Sequence, residues 1–531
     1  MLTSMSHVGS QTTRMQKPGT TSQKRLLCIA LLFWLLACCS QIETLLIEPR
    51  SDSAAWLYMG ARQAHGQMPG RDLWDNKLPL IYLMGRAAMA LGCPRLFLWL
   101  TEAGLTAVAA TAVLVLLRRV DKSALPASDP ARSFRTPALA AGLLLCIVAG
   151  APSFHAGGFK TEIYAMPLSV LALVLSLLSI QRGGRFWMGA AAGGCWTLAV
   201  SFRLPVAIVA LAAVVYIAAT CRGPRWWAWM AAHITGLVVG GFLVLLHPLL
   251  AGYLRECIAA SVLWPAGLNG EHIPGPLSIS TGRRFAEVGQ DLLKLGWLYV
   301  PAVCGLVLAW RRGEKAFVGL VGLWLIAALA SAASGWASYA HYLYISFAPA
   351  CLACGLLIGH ASSLQSRWWA LGLLGLAALV VGFQNIKEIV RYGPGKIDPD
   401  RIATRQFLLR ETEPTDGVFI WAWNRSAPLL YEIDRPPGTR HFLAHTYFNM
   451  DMGLSAEMVA EFEAEMPRWI VEDTWRNRPP LIGSPNPAQF VPPPASLARL
   501  QQLVNQNYDS VASYGHFTVL KRRCADPHQP G

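Results

Sequence analysis

The sequence predicts a polytopic α-helical membrane protein with a small C-terminal α/β domain, and three observations lead there. The 531 residues are 54% hydrophobic and only 14% charged, against about 25% charged in soluble domains. Mean hydropathy is positive. Long uncharged runs alternate with short basic patches up to about residue 390, where the composition changes. A bilayer offers no water to backbone amides, so uncharged runs of about 20 residues must become helices. The net charge of +14 is then read as serving topology and lipid headgroups, not nucleic acid.

Eleven runs are candidate spans: 26–47, 96–117, 136–152, 163–180, 186–201, 204–220, 228–250, 295–310, 316–333, 341–360 and 367–385. Residues 1–25 are polar and are expected to be a disordered cytoplasmic N-terminus. The run from Leu26 lacks a clear small-residue cleavage site, so it reads as an uncleaved first helix. The short runs 186–201 and 204–220 are joined by SFRLP, where Pro205 breaks the helix. A single broken or re-entrant element is the alternative there.

With the N-terminus in the cytoplasm, every inner loop is basic. These loops carry Arg14, Lys17, Lys24 and Arg25, then Arg118, Arg119, Lys122, Arg132 and Arg135. Further along come Arg182 and Arg185, Arg222 and Arg225, Arg311, Arg312 and Lys315, and Arg367. An odd span count leaves the C-terminal domain outside. The twelve cysteines lie mostly within apolar runs, and the Cys351–Cys354 CxxC reads as a pair of small buried hydrophobes. No second Cys or His pair is placed to complete a zinc site.

One outer loop departs from the charge rule. Residues 48–95 hold Arg50, Arg62, Arg71, Lys77, Arg86 and Arg95. Cations retained on the unfavoured side point to an anion held near the membrane surface. The plainer alternative is pairing with Asp52, Asp72 and Asp75. Within this loop LIYLMGRAAMALG is too short to span and suits a helix lying along the interface.

Ionisable groups also stand at the outer ends of spans: Lys160 and Glu162 in GGFKTEIYAMPL, Arg203 in SFRLP, and His341 in SYAHYLYISFAP. Each alone has an ordinary reading as a dipole partner, a snorkelling cation or an interfacial residue. In this topology all face the same side as Asp52 and Lys77. A carboxylate among cations on that side suits transfer onto a hydroxyl from a phosphate-linked donor. Asp52 would accept the proton of the attacking hydroxyl. Arg71, Lys77 or Arg203 would neutralise the departing phosphate. Nucleotide sugars and ATP are cytoplasmic, so the donor would be lipid-borne.

After the linker YGPGKIDPD, the segments RIATRQFLLRE, SAEMVAEFEAEM and ASLARLQQLVNQ have helical spacing. GVFIWAW, RWIVED and HFTVLKRR read as strands, giving an α/β sandwich over 391–531. No GxxxxGK and no GxGxxG after a strand occur, and no internal repeat is evident.

The stretch DSAAWLYMGARQAHGQMPGRDLWDNKLPLIYLMGR resembles the first outer loop of bacterial GT-C glycosyltransferases. In particular it is similar to the group of the protein O-mannosyltransferases (glycosyltransferase family 39) and the lipid A aminoarabinose transferase. Such loops run from an Asp through a Tyr and a Gly to a segment like PYRD-x-WD-x-KPP. Asp52, Tyr58, Gly66, Pro69, Arg71, Asp72, Trp74, Asp75, Lys77 and Pro79 match; Gly70 replaces the usual Tyr and Leu78 the usual first Pro. TEIYAMPL resembles the acidic motif that opens the fourth span, and AHYLYISFAPACLACG the HY-x-L-x-x-x-P segment. VFIWAWNRSAPLLYEIDRPPGTRHF resembles the outer domain.

The resemblance implies a GT-C membrane domain over 26–390, including the loop 48–95, and an inverting transfer from a polyprenyl-phosphate sugar. By position it implies Asp52 as catalytic base, Glu162 as a second catalytic residue lining the cavity, and Lys77 at the donor phosphate. Arg71, Arg203 and His341 join the donor-phosphate set, and Tyr58, Asp72 and Asp75 support it. Members differ in metal dependence, so no metal is assigned and a divalent ion stays open. The partners are then a polyprenyl-phosphate-linked sugar, membrane lipids, and a glycan, lipid or protein acceptor. The setting is the inner membrane, with the site facing outward. A transporter or flippase for lipid-linked sugars is the alternative from another class, but it should place polar groups at the midplane of two related halves. A ligase for whole glycan chains is a third.

Overall fold

The computed structural model describes residues 20–124, 135–155, 157–181, 185–220, 224–263, 281–334, 339–360, 363–422, 426–443, 454–474 and 495–523. The expected N-terminal tail, up to residue 19, lies outside these residues, as do Arg14, Lys17, Arg132, Arg182 and Arg222. In chain order the helices begin with α1 (Thr20–Ser40), α2 (Glu43–Leu46), α3 (Ser51–Ala64), α4 (Leu80–Ala90), α5 (Pro94–Ala124), α6 (Arg135–Val148) and α7 (Pro152–His155). There follow α8 (Thr161–Gln181), α9 (Phe186–Phe202), α10 (Ala207–Thr220), α11 (Pro224–Leu250), α12 (Leu254–Ile258), α13 (Thr281–Lys294) and α14 (Gly296–Arg311). The helical region closes with α15 (Lys315–Ala333), a 3-10 segment over Ala340–Ser346, α16 (Phe347–His360) and α17 (Ser363–Tyr392). The C-terminal region holds α18 (Pro399–Glu411), β1 (Val418–Trp421), α19 (Ser426–Ile433), α20 (Ser455–Glu465), β2 (Trp469–Asp473), α21 (Ala495–Asn507), β3 (Tyr508–Tyr514) and β4 (Phe517–Arg522).

Each of the eleven apolar runs falls on helix. Among the described residues seven helices are long and apolar enough to cross a membrane, and α13 with α14, bent by 92°, makes an eighth if counted as one span. The helices in 136–152, 186–201 and 204–220 are shorter. This is a multi-pass membrane protein. Its helices divide into interior and lipid-facing ones. The span ending in α16 has 83% of its apolar window buried, whereas that of α17 has 22%. The exposed face of α17 carries Trp368, Trp369, Leu371, Leu379, Phe383 and Ile386, an apolar surface suited to acyl chains and not to water. Cys351 and Cys354 are fully buried in α16, in keeping with their reading as small hydrophobes.

The chain forms two compact units: Met1–Ile47 with Arg95–Leu246 and Ile279–Arg391, and Glu48–Pro94 with His247–Ser278 and Tyr392–Gly531. In the first unit α9 ends at Phe202, Arg203 is extended (φ −147°), and a 3-10 turn over Leu204–Val206 leads into α10. Pro205 has no N–H to continue the ladder and disfavours helix in the residue before it. The sequence break at SFRLP is therefore a real corner, with Arg203 at its apex.

In the second unit the strands form one sheet in the order β1-β2-β4-β3, with β1 parallel to β2 and the other pairs antiparallel. Phe419, Trp421, Ile470 and Leu520 face Met458, Val459 and Phe462 of α20 and Leu497, Leu500 and Val504 of α21. On the opposite face Trp469 meets Phe407 of α18 edge-on. The sheet is thus covered on both sides, and its strands β1 and β2 are buried throughout, β1 as a continuous apolar run predicts and β2 even at Glu472 and Asp473. Also in this unit, α3 and α4 approach backbone to backbone: a Cβ added at Gly85 would lie 2.4 Å from the Trp56 carbonyl oxygen.

Candidate active site

In the second unit the charged tract of the sequence folds onto the C-terminal region. Trp74 is buried and its backbone N–H donates to the Arg440 carbonyl oxygen at 2.8 Å, with its ring stacked on His441 at 6.1 Å. Tyr58, fully buried in α3, donates its hydroxyl to the Arg435 carbonyl oxygen at 2.7 Å. Burial pushes the Tyr58 phenol well up, with Arg62 opposing and Asp434 adding to the rise, so it serves as a neutral donor. Arg62 completes the attachment with Asp434 at 3.5 Å. Gly70 has a left-handed φ of 82°, and a Cβ there would sit 3.2 Å from the Glu256 carbonyl oxygen. A tyrosine in its place would be strained and crowded, which explains the departure from the resembling motif.

The acids and cations of the tract pair locally. Arg71 binds Asp72 through Nε and Nη2, at 3.0 and 2.8 Å, and Asp72 also receives the Met68 N–H at 2.7 Å. The hydrogen bond to Asp72 raises the Arg71 guanidinium further. Asp75 accepts from the Trp56 indole at 3.1 Å and lies 3.9 Å from the Lys77 ammonium. The backbone at Lys77 is held on both sides: its N–H meets the Tyr82 hydroxyl at 3.1 Å, and its carbonyl oxygen receives the Ser261 hydroxyl at 2.6 Å. The plainer alternative, neutralisation by neighbouring carboxylates, is realised for Arg71 and Lys77. Both remain partly exposed. Asp52 stands in the first turn of α3, half-buried, after Ser51 in a left-handed conformation (φ 40°). Such strain in a non-glycine residue is the kind that clusters at functional positions.

In the first unit three predicted residues from separate segments meet. Glu162 opens α8 and is 1% exposed, and Arg203 at the corner after α9 is 7% exposed. Nη1 of Arg203 donates to Oε1 of Glu162, and the Thr161 hydroxyl donates to Oε2 at 3.0 Å. The Arg203 guanidinium lies over the Tyr342 ring, 3.6 Å from its centre. His341 packs edge-on to Tyr342 at 4.8 Å and stands within electrostatic reach of Glu162. Among the described residues Nε and Nη2 of Arg203 are buried without a hydrogen-bond partner. Unsatisfied donors on a buried cation are costly, and a phosphate or sugar oxygen would satisfy them.

Sequence reasoning passed over Glu102, although it is the single acid in the apolar run of α5. It is fully buried and belongs to a polar network in the first unit. It also passed over two groups of ligand-type side chains in the second unit, Asp398–Asp400–His516 and His441–Glu457–Glu461. In the latter, Arg440 already pairs with both glutamates. Neither group contains a residue predicted from sequence.

The His441–Glu461 contact, 3.0 Å long, gives the protein a pH dependence. Burial holds the His441 imidazole below its ordinary value of 6.5, against the opposing pull of Glu461. Burial alone would raise the Glu461 carboxyl, but His441 and Arg440 outweigh it and hold it below 4.5. Both groups bind fewer protons folded than unfolded, so their stabilisation is full above about pH 6.5 and is lost as the pH falls. The melting temperature of the full-length protein is expected to drop between pH 7 and 5. His441→Gln should flatten that part of the curve; parallel curves for variant and wild type would contradict this assignment.

No protein-family profile matches the sequence, and no curated protein sequence matches it. Solved structures do. ArnT from Cupriavidus metallidurans bound to undecaprenyl phosphate aligns with 97% of this chain and 100% of its own, at 12% identity and a TM-score of 0.60. The apo form of the same protein aligns at 13% identity and a TM-score of 0.55, over 95% of this chain and 98% of its own. The oligosaccharyltransferase AglB from Archaeoglobus fulgidus, in complex with an inhibitory peptide and a dolichol-phosphate, aligns with 86% of this chain and 70% of its own, at 14% identity and a TM-score of 0.53. The chain therefore shares its fold with ArnT and AglB.

Proposed function

We propose that this protein is an integral membrane glycosyltransferase that moves a sugar from a polyprenyl-phosphate donor to an acceptor hydroxyl at the outer face of the inner membrane, with inversion. The observation that carries this reading is the buried Glu162–Arg203 pair, in which Nε and Nη2 of the guanidinium have no hydrogen-bond partner among the described residues. Two neighbours of the same fold are named for lipid-phosphate complexes, which supports a lipid-borne donor. Asp52 takes the proton of the attacking group. Lys77 and Arg203, with Arg71 and His341, are the cations assigned to the lipid phosphate as it leaves. Exchange of the Lys77–Asp75 contact for a phosphate contact needs only movement of a partly exposed lysine side chain. Tyr58, Asp72 and Asp75 shape the loop that carries these groups. No metal is required by this assignment.

The test is turnover by the purified full-length protein in mixed micelles, supplied with a pool of polyprenyl-phosphate sugars and a membrane extract from a deletion strain. Release of free polyprenyl phosphate together with a glycosylated product is expected, and both should vanish in Asp52→Asn. No release in micelles, together with movement of intact lipid-linked sugar between the leaflets of reconstituted proteoliposomes, would favour the flippase reading instead.

A further inference from the structure

We infer that Glu102 is a positioning residue, which fixes the turn before α8 and thereby sets where Glu162 and Arg203 stand. This rests on the reading that Glu162 belongs to the transfer site.

The turn over Gly157, Gly158 and Phe159 has three consecutive left-handed residues, with φ of 82°, 75° and 49°. Glycine adopts that conformation freely, but phenylalanine does not. Something must hold Phe159 there, and Glu102 does. Its Oε1 receives the Phe159 backbone N–H at 2.6 Å and the Tyr164 hydroxyl at 3.2 Å. Its Oε2 receives the Thr44 hydroxyl at 2.8 Å and lies 3.3 Å from Nε2 of His155. One carboxyl group thus gathers donors from α2, α7, the turn and α8. Thr44 closes the turn from the other side: a Cβ added at Gly158 would lie 2.1 Å from its hydroxyl oxygen.

The turn ends three residues before Glu162, and Lys160, Thr161 and Glu162 are all buried. Little in such a packed junction can move independently. Release of Phe159 into an ordinary backbone conformation would rotate the first turn of α8. Glu162 would then leave the Nη1 of Arg203. A displacement near 1 Å at a reacting centre is enough to slow turnover by about 10²-fold.

The side chain's length, and not only its polarity, is what the turn requires. A glutamine in place of Glu102 would keep the reach and the Phe159 acceptor, and Thr44 and His155 can each reverse their donor and acceptor roles. An aspartate there would be one methylene short and could not serve Phe159 and Thr44 together. The experiment compares Glu102→Gln and Glu102→Asp as purified full-length proteins, by turnover and by single-particle structure. Glu102→Gln is expected within about threefold of wild type, and Glu102→Asp to lose about tenfold or more in kcat, with both proteins still giving a cooperative melting curve. The structure of Glu102→Asp should show Phe159 out of the left-handed region and the Glu162–Arg203 contact opened. An unchanged contact in that structure overturns the inference, whatever the activity. If instead Glu162→Gln keeps full turnover while the contact does open in Glu102→Asp, the positioning stands and the assignment of Glu162 to the transfer site fails.

Discussion

Asp52→Asn is expected to abolish transfer while the protein remains folded and in the membrane. The reasoning is chemical before it is structural. An acceptor hydroxyl is a weak nucleophile, and a positioned carboxylate that takes its proton contributes about 10²–10⁴-fold. Asparagine has nearly the same shape and keeps an acceptor oxygen, but it cannot take a proton at neutral pH. The fold should tolerate the change, because Asp52 is half-buried in the first turn of α3 and accepts a 3.3 Å hydrogen bond from the neighbouring Ser51 hydroxyl, which an asparagine oxygen can also accept. The anchors of that helix are elsewhere, in the buried Tyr58 and Arg62. The measurement is release of polyprenyl phosphate alongside the elution profile and melting curve. An Asp52→Asn protein with unchanged turnover would remove the general base from the proposal and leave the remaining cations without a reaction to serve.

The membrane architecture was legible because its governing physics is one-dimensional. A bilayer demands uncharged helical runs, and each of the apolar runs in the sequence became helix. The strands β1, β2 and β4 were legible for a similar reason, as short apolar runs between turns. The edge strand β3 was not: Tyr508–Tyr514 is polar and largely exposed, and only its hairpin partner β4 makes it a strand. The amphipathic helix α13 and the short α19 were also passed over: α13 is too polar to stand out as a span, and α19 has only 8 residues.

At the candidate site, rare charges at span ends pointed to Glu162, Arg203 and His341, which the structure brings together, because ionisable groups are expensive at membrane depth. The same argument applied to Glu102, but a lone acid inside a run reads as an isolated curiosity until its partners are seen. Those partners are a threonine, a tyrosine, a histidine and a backbone N–H from distant segments, and nothing in local spacing joins them. The tract at 71–77 was legible as a charge cluster, but its internal pairing was not. Whether an arginine meets the acid beside it or a distant anion depends on how the loop folds, and here Arg71 turns to Asp72.

Arg203 carries the other large expectation, because its structural and chemical duties can be separated. Arg203→Leu leaves Glu162 buried with the Thr161 hydroxyl but without its cation. Removing one partner of a buried ion pair typically destabilises by about 3–5 kcal/mol, and the contact with the Tyr342 ring is lost as well. The single variant should therefore express poorly, melt at lower temperature and transfer no sugar, a result that by itself says little about mechanism. The double variant Glu162→Gln with Arg203→Leu is the informative one. It leaves no uncompensated charge, and exchanging both members of a buried pair for neutral groups of similar size is often close to neutral in stability. Its melting temperature should recover most of the loss, while transfer stays absent because neither the guanidinium nor the Glu162 carboxylate remains at the site. If the double variant regains both stability and turnover, Arg203 only balances Glu162, and the phosphate must be neutralised by the cations of the outer loop alone.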